Sequence, residues 1–274
     1  MTPLSLIYLV ALLACVYLAV MAVARNPRAP LNWLCAGFLL CFALWSFEDV
    51  FHNLYPRVSE AQAILYGNIG SIGGYSFASL FLAFVMSLVN PKGVRRWWPF
   101  HILLAGIPLA FIIGQWTGVA ALKLGPGRYG WVVDWDRSSP ILAVAYYAYY
   151  AGFIVVGLVL LIRHARRARR RRERMQALVM AAATVVTLVL ATLTDVVLPR
   201  LTALQPPELG GAFSIIWAAG LYIGITRYGL LSLTAETAAN EILAAMRDSL
   251  FLLSPEGIIV TTRRAPGRGT VRPA

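Results

Sequence analysis

Seven apolar stretches separated by polar connections constrain this chain more than anything else in it. They are Leu4–Ala24, Leu31–Phe51, Ala63–Val89, Trp98–Trp116, Ile141–Ile162, Gln176–Leu198 and Gly211–Ile225. A backbone that crosses hydrocarbon must satisfy its own N–H and C=O groups, which a helix does, and about 20 helical residues cover a core roughly 30 Å thick. Six stretches meet that length, and the seventh approaches it by running on to Tyr228. The chain is 59% hydrophobic and only 13% charged, which excludes an ordinary soluble domain and a disordered chain alike. The expected fold class is an all-α integral membrane protein, a seven-transmembrane helix bundle. Ala22-Val23-Ala24 has the small-x-small form of a signal-peptide cleavage site. No Lys or Arg precedes the first stretch, however, and its apolar run is too long for a signal peptide, so it is read as a retained helix.

The net charge of +12 is distributed by loop. One alternating set of connections (Arg25 and Arg28; Lys92, Arg95 and Arg96; Arg163 to Arg174; Arg227) holds fourteen Lys and Arg, and the other set holds five. Basic loops stay on the cytoplasmic side. The amino terminus is therefore expected outside and the carboxyl terminus inside, consistent with an odd number of spans. The run Arg166–Arg174 joins two spans, so it reads as an anchor on anionic lipid headgroups. Nucleic acid is excluded, because a short loop tied to the bilayer lacks a groove or recognition element.

Several chemistries are missing. Cys15, Cys35 and Cys41 lie in apolar stretches without C-x-x-C spacing and read as small core residues. His52 follows Glu48 at four residues, but two side chains do not make a metal site, and neither metal nor cofactor is expected. There is no P-loop and no nucleophile motif. The only lysines, Lys92 and Lys123, are in loops, which excludes a retinal Schiff base. Gly67, Gly70, Gly73 and Gly74 lie within the third span, where Gly70 and Gly74, with Ala78, read as a GxxxG-type packing face.

With each span placed in its direction, polar groups gather at the outer end: Glu48, Asp49 and His52 on the second, Tyr66 and Asn68 on the third, Gln115 on the fourth, Tyr146–Tyr150 on the fifth and Asp195 on the sixth. Two readings fit. The tyrosines and tryptophans form an outer aromatic belt while the acids reach interfacial water, or the acids face an outward-opening ligand cavity. Under the second reading the candidate ligand-binding residues are Glu48, Asp49, His52, Tyr66, Asn68 and Asp195. Adjacent helical residues point about 100° apart. Only one of Glu48 and Asp49 is thus expected to face the bundle centre, and the shared face with His52 favours Glu48.

After Arg227 a helix-forming segment (Thr234–Arg247) leads to two β-rich runs, Ser249–Ser254 and Ile258–Thr262, around Pro255-Glu256-Gly257. The order of seven spans, then Thr226-Arg227-Tyr228-Gly229-Leu230-Leu231-Ser232-Leu233, then "ILAAMRDSLFLLSPEGIIVTT", resembles a bacterial sensor family: the amino-terminal seven-transmembrane region of sensor histidine kinases followed by the start of a PAS domain. Leu193–Pro199 is similar to that family as well. The resemblance implies a sensor module over 1–229, a cytoplasmic linker helix over 230–248, an incomplete PAS-like start over 249–262 and a basic disordered tail over 263–274. It also implies a truncated chain that lacks phosphoacceptor and ATP-binding domains and is not itself an enzyme, set in the bacterial inner membrane as a multi-pass protein. An intact relative would carry a kinase or diguanylate cyclase output. The expected partners are the bilayer, a small or lipophilic ligand and a second copy in a homodimer. The competing class is a small multi-pass transporter or membrane-embedded enzyme; it predicts charged or broken helices at mid-depth, or an internal repeat. The sequence carries neither.

Overall fold

The computed structural model describes residues 2–54, 57–90, 98–119, 123–134, 138–198, 207–231, 250–253 and 259–263. The chain divides into two units, Met1–Leu231 and Ser232–Ala274. Among the described residues the first comprises helices α1 (Pro3–Arg25), α2 (Pro30–His52), α3 (Glu60–Val89) and α4 (Trp98–Thr117), a hairpin of β1 (Leu124–Pro126) and β2 (Trp131–Val133), and helices α5 (Pro140–Arg167), α6 (Arg171–Thr192) and α7 (Gly210–Arg227). Local chemistry sets the helix starts. Pro3, Pro30 and Pro140 stand in the first turn, where a missing N–H costs nothing. At α3, Ser59 and Gln62 form a reciprocal capping box.

Helices α1 to α6, with α4 counted from Phe100 and α6 to Asp195, are long and apolar enough to cross a membrane. The seventh, 18 residues long, is helical but falls outside that set. Its composition explains why: Gly210, Gly211, Ala212, Ser214, Ala218, Gly220 and Gly224 are small because the helix packs against α1, α2 and α6, and small residues allow close approach.

Helix α2 is central, packed on α1, α3 and α7; α3 in turn carries α4 and α5, and α6 closes the arrangement between α5 and α7. Half of the apolar window of α2 and of α3 is buried, against 11% for α4, which is therefore the peripheral helix. The core is aromatic. Trp217 of α7 meets Phe38, Phe42 and Phe81 with centroids 4.2 to 6.2 Å apart, and its Nε1 donates to the Thr184 hydroxyl of α6 at 2.9 Å. Large aliphatics such as Leu6, Val10, Leu13, Val144 and Val189 are instead exposed, as side chains that meet lipid are. All three cysteines are buried and free, as expected.

The glycines of α3 pack differently from the expected Gly70/Gly74 pair. Gly67, Gly70 and Gly73, at three-residue spacing, face α2. A methyl group at Gly73 would overlap the Cys41 carbonyl, whereas one at Gly74 would meet nothing within 4 Å. The three-residue row follows the α2–α3 crossing and leaves Gly74 on a cavity wall.

In the second unit β3 (Leu250–Leu253) pairs antiparallel with β4 (Ile259–Arg263), with an irregularity at Leu253, so the two expected strands form. Arg263, expected to open the tail, ends β4 instead. Leu230 and Leu231, assigned to the linker helix, are a turn; the remainder of that helix, the Pro255–Gly257 turn and the tail beyond Arg263 lie outside the described residues.

The α2–α3 contact predicts a contrast between neighbouring glycines. Gly73→Ala, which drives a methyl into backbone, should lower thermal stability in detergent by about 1–3 kcal/mol. Gly74→Ala should be neutral or slightly stabilising, since Ala is the better helix former.

Candidate functional site

A cavity of about 200 Å³ opens at the end of the bundle that carries the β1–β2 hairpin. Glu48, Asp49 and His52 of α2, Asp195 at the end of α6 and Glu208 just before α7 supply its titratable side chains; Trp45, Tyr75, Trp131, Tyr146, Tyr147 and Tyr150 supply aromatic walls. Of the six candidate residues, four thus come together. Tyr66 does not join them: it stacks on Phe51 at 4.3 Å and meets Phe47 edge-on. Asn68 is also off the wall, its Oδ1 accepting from Gln115 and its backbone carbonyl accepting from Trp116 and Ser71. Tyr75 donates to the Gln115 carbonyl at 3.2 Å, so Asn68 positions a wall residue through Gln115.

Both Glu48 and Asp49 line the cavity, and Asp49 does so while turned toward a neighbouring helix. The reason is the central place of α2, which has neighbours on opposite flanks. Glu48 turns toward α3 and Asp49 toward α7, and in each case a glycine makes room: a Cβ at Gly70 would overlap the Glu48 carboxylate, and one at Gly211 that of Asp49. Glu48 Oε1 lies 3.6 Å from His52 Nδ1, while His52 Nε2 donates to the Ala63 carbonyl at 3.0 Å, which fixes the ring between α2 and α3. Asp49 Oδ2 is fully buried and has no hydrogen-bond partner among the described residues.

Asp195 is held most completely. Residues Leu193–Val197 form a single π-helical turn, a feature common at functional positions. The Asp195 carboxylate accepts from Thr194 Oγ1 at 2.6 Å and from the backbone N–H groups of Leu209 (2.8 Å) and Gly210 (3.0 Å). Gly210 leaves the space, since a Cβ there would overlap the carboxylate. An acid therefore sits on the free N–H groups and positive dipole end of α7. One residue lines the cavity and caps the last helix.

The tyrosines expected in an outer belt face inward. Tyr146 donates to the Gly74 carbonyl at 3.2 Å, and the Tyr149 hydroxyl bonds the Tyr75 carbonyl at 2.7 Å and Ser79 at 2.9 Å. Four tyrosines in five residues span more than one helix face, and α3, rich in glycine, lets them approach.

The sequence reading also missed the lid and Glu208. Leu124, Trp131, Val132 and Val133 of the hairpin close one side of the cavity, with Gly127 N–H donating to Gly130 O at 2.7 Å and Trp131 Nε1 to the Val58 carbonyl at 3.1 Å. The signal was present in Gly125-Pro126-Gly127 followed by Gly130-Trp131-Val132-Val133, a turn and β-rich run of the kind that makes hairpins. Burial first, then the nearby Asp195 carboxylate, pushes Glu208 up to about 7, opposed by a hydrogen bond from the Val133 backbone. Its backbone carbonyl accepts from the Tyr8 hydroxyl. Glu208 thus joins α1, the hairpin and the start of α7.

At the opposite end of α7, basic residues hold the exit. Arg172 donates to the carbonyls of Tyr228 and Gly229 (3.0 Å for the latter), Gln176 to Tyr228 at 2.7 Å, and Arg25 to Ile225 at 3.3 Å. Cationic and amide donors on terminal carbonyls complement the negative end of the dipole. Gly229, at φ 59°, terminates the helix, and Leu230 and Leu231 fold back into the core. The basic run expected only to meet lipid is largely helical, with Ala168–Arg170 as its connection, and one of its arginines is committed to the α7 exit.

A multi-pass membrane bundle with a capped polar cavity at one end, and a last helix gripped at both ends, has the layout of a membrane sensory module. The family model described as the N-terminal 7TM region of histidine kinase matches residues 7–234, and the chain belongs to that family. Among curated proteins, none matches. The region is a membrane sensory region of a histidine kinase and is not itself catalytic.

Glu208 gives a pH-dependent test. Its folded value lies above the ordinary 4.5, so the folded chain binds the proton more tightly and stability falls as pH rises from about 4.5 through about 7. The full difference is on the order of 3 kcal/mol. Thermal unfolding between pH 5 and 8 should show this loss in the wild type and a flatter profile in Glu208→Gln; equal slopes would contradict the assignment.

Proposed function

We propose that the chain is the ligand-sensing input of a bacterial two-component sensor, set in the inner membrane with seven spans, its amino terminus outside and its hairpin-capped cavity opening outward. The loop charges support that orientation: fourteen Lys and Arg in one set of connections against five in the other favour a cavity outside and an α7 exit inside. Short as it is, α7 serves as the seventh span, because its neighbours supply the burial that lipid would not. The basic residues around Arg166–Arg174 then meet anionic headgroups where they are not holding the α7 exit.

The observation that carries the reading is Asp195, which lines the cavity with the same carboxylate that caps the last helix. A ligand can shift an equilibrium only by its differential affinity for two states. An occupant that competes for the Asp195 carboxylate, or displaces the hairpin from Glu208, changes the hold on the start of α7. A small helix shift is an established form of such a transition. The shift arrives at Tyr228 and Gly229, where Arg172 and Gln176 grip the exit, and passes to the segment beyond Leu231.

The test is a chimera of residues 1–248 with the output of a related histidine kinase, read as reporter expression. Asp195→Asn and Glu48→Gln should change the stimulus response at unchanged membrane abundance, and a reporter placed after Arg174 should be cytoplasmic while one near Gly127 is external. A normal response from both variants, or both fusions on one side, would overturn the reading.

A further inference from the structure

The composition of the cavity wall defines a ligand class. Four carboxyl groups line it, and no Lys or Arg does among the described residues. Three of the four have partners: Glu48 faces His52, Asp195 accepts two backbone N–H groups, and Glu208 takes the Val133 backbone. Asp49 also lines the cavity, and its Oδ2, turned onto Gly211, has none among the described residues. A buried carboxylate without a counter-charge is costly, and a cation that enters beside it removes the cost. The remaining wall includes Trp45, Trp131, Tyr75 and Tyr150, residue types on which ammonium groups are recognised by cation–π attraction.

We propose that this cavity binds a small organic ammonium ion, with Asp49 as its counter-ion and the tryptophan and tyrosine rings as its cage. The proposal rests on the sensory reading above and names its ligand class. An anion would meet four carboxyl groups and no Lys or Arg among the described wall residues. A bare divalent metal is not favoured, since no group of three His, Cys, Asp or Glu among the described residues could hold one. A neutral apolar molecule would leave Asp49 unpaired. Size narrows the class further: about 200 Å³ lies below the roughly 300–1,000 Å³ of pockets for drug-sized ligands, so the occupant is compact.

The full chain, reconstituted in lipid nanodiscs, is titrated by calorimetry and by tryptophan fluorescence with methylammonium, tetramethylammonium, choline and putrescine, and with 3,3-dimethylbutan-1-ol as the uncharged isostere of choline. At least one ammonium ion should bind saturably, and if choline is the binder its neutral isostere should be about tenfold or more weaker. Asp49→Asn should weaken the ammonium ion about thirtyfold, while the empty variant keeps or gains thermal stability because an unpaired buried carboxylate is gone. Trp45→Leu should lose binding that Trp45→Phe retains. Absence of binding by every ammonium ion, equal binding of choline and its isostere, or unchanged affinity in a folded Asp49→Asn variant would each overturn the proposal. If no ammonium ion binds but the chimera still loses its response with Glu48→Gln, the ligand class falls and the sensory reading stands.

Discussion

The carboxylate of Asp195 on the N–H groups of Leu209 and Gly210 is the interaction on which the rest of this bundle turns. A helix that begins inside a membrane protein has free donors that water does not reach, and something must accept from them. Here the acceptor comes from the preceding helix, at a π-turn that breaks the regular α6 ladder. Because the same side chain lines the cavity, the proposed sensing role runs through the start of α7. At the far end Arg172, Gln176 and Arg25 accept the complementary task of satisfying carbonyls. The last helix is thus defined by polar contacts at its two ends and by Trp217 and small residues along its length.

The second constraint is the pairing of acids with glycines. Glu48 against Gly70, Asp49 against Gly211 and Asp195 against Gly210 place three carboxylates where any larger residue would collide. Acids within a bundle are expensive and are retained where they face a wet cavity or a partner. Glycine on the facing helix makes room for each of them, brings Asp195 onto two backbone donors, and lets α2, α3, α6 and α7 converge at the hairpin end. The acids lie inside the bundle for that reason rather than at its rim.

Much of the architecture was legible from hydropathy, because a spanning helix leaves an uninterrupted apolar run. Arg171–Thr192 and Pro140–Arg167 extend the expected stretches by a turn or more into the arginine run, since arginine continues a helix that hydropathy alone ends. Four of six candidate site residues share the cavity, and they were readable because ionised groups near hydrocarbon are conspicuous. Tyr66 and Asn68 were misplaced because helix order fixes depth but not rotation. The inward turn of Tyr146 and Tyr150 depends on the shape of α3, which no local pattern in α5 reveals. Glu208 was invisible for a related reason: it lies in a polar connection, where an acid is ordinary until tertiary packing buries it under Val133.

If the hold of Asp195 sets where α7 sits, breaking it moves that helix's exit. Distances between spin labels measure it directly. Labels on Arg174→Cys and Arg227→Cys, both exposed positions, report the α6–α7 spacing at the exit, and the three native cysteines are buried. In nanodiscs the parent should give one narrow distance distribution, and Asp195→Asn should broaden it or add a second population at the far end of the helix. An unchanged distribution in a folded Asp195→Asn variant would contradict the account.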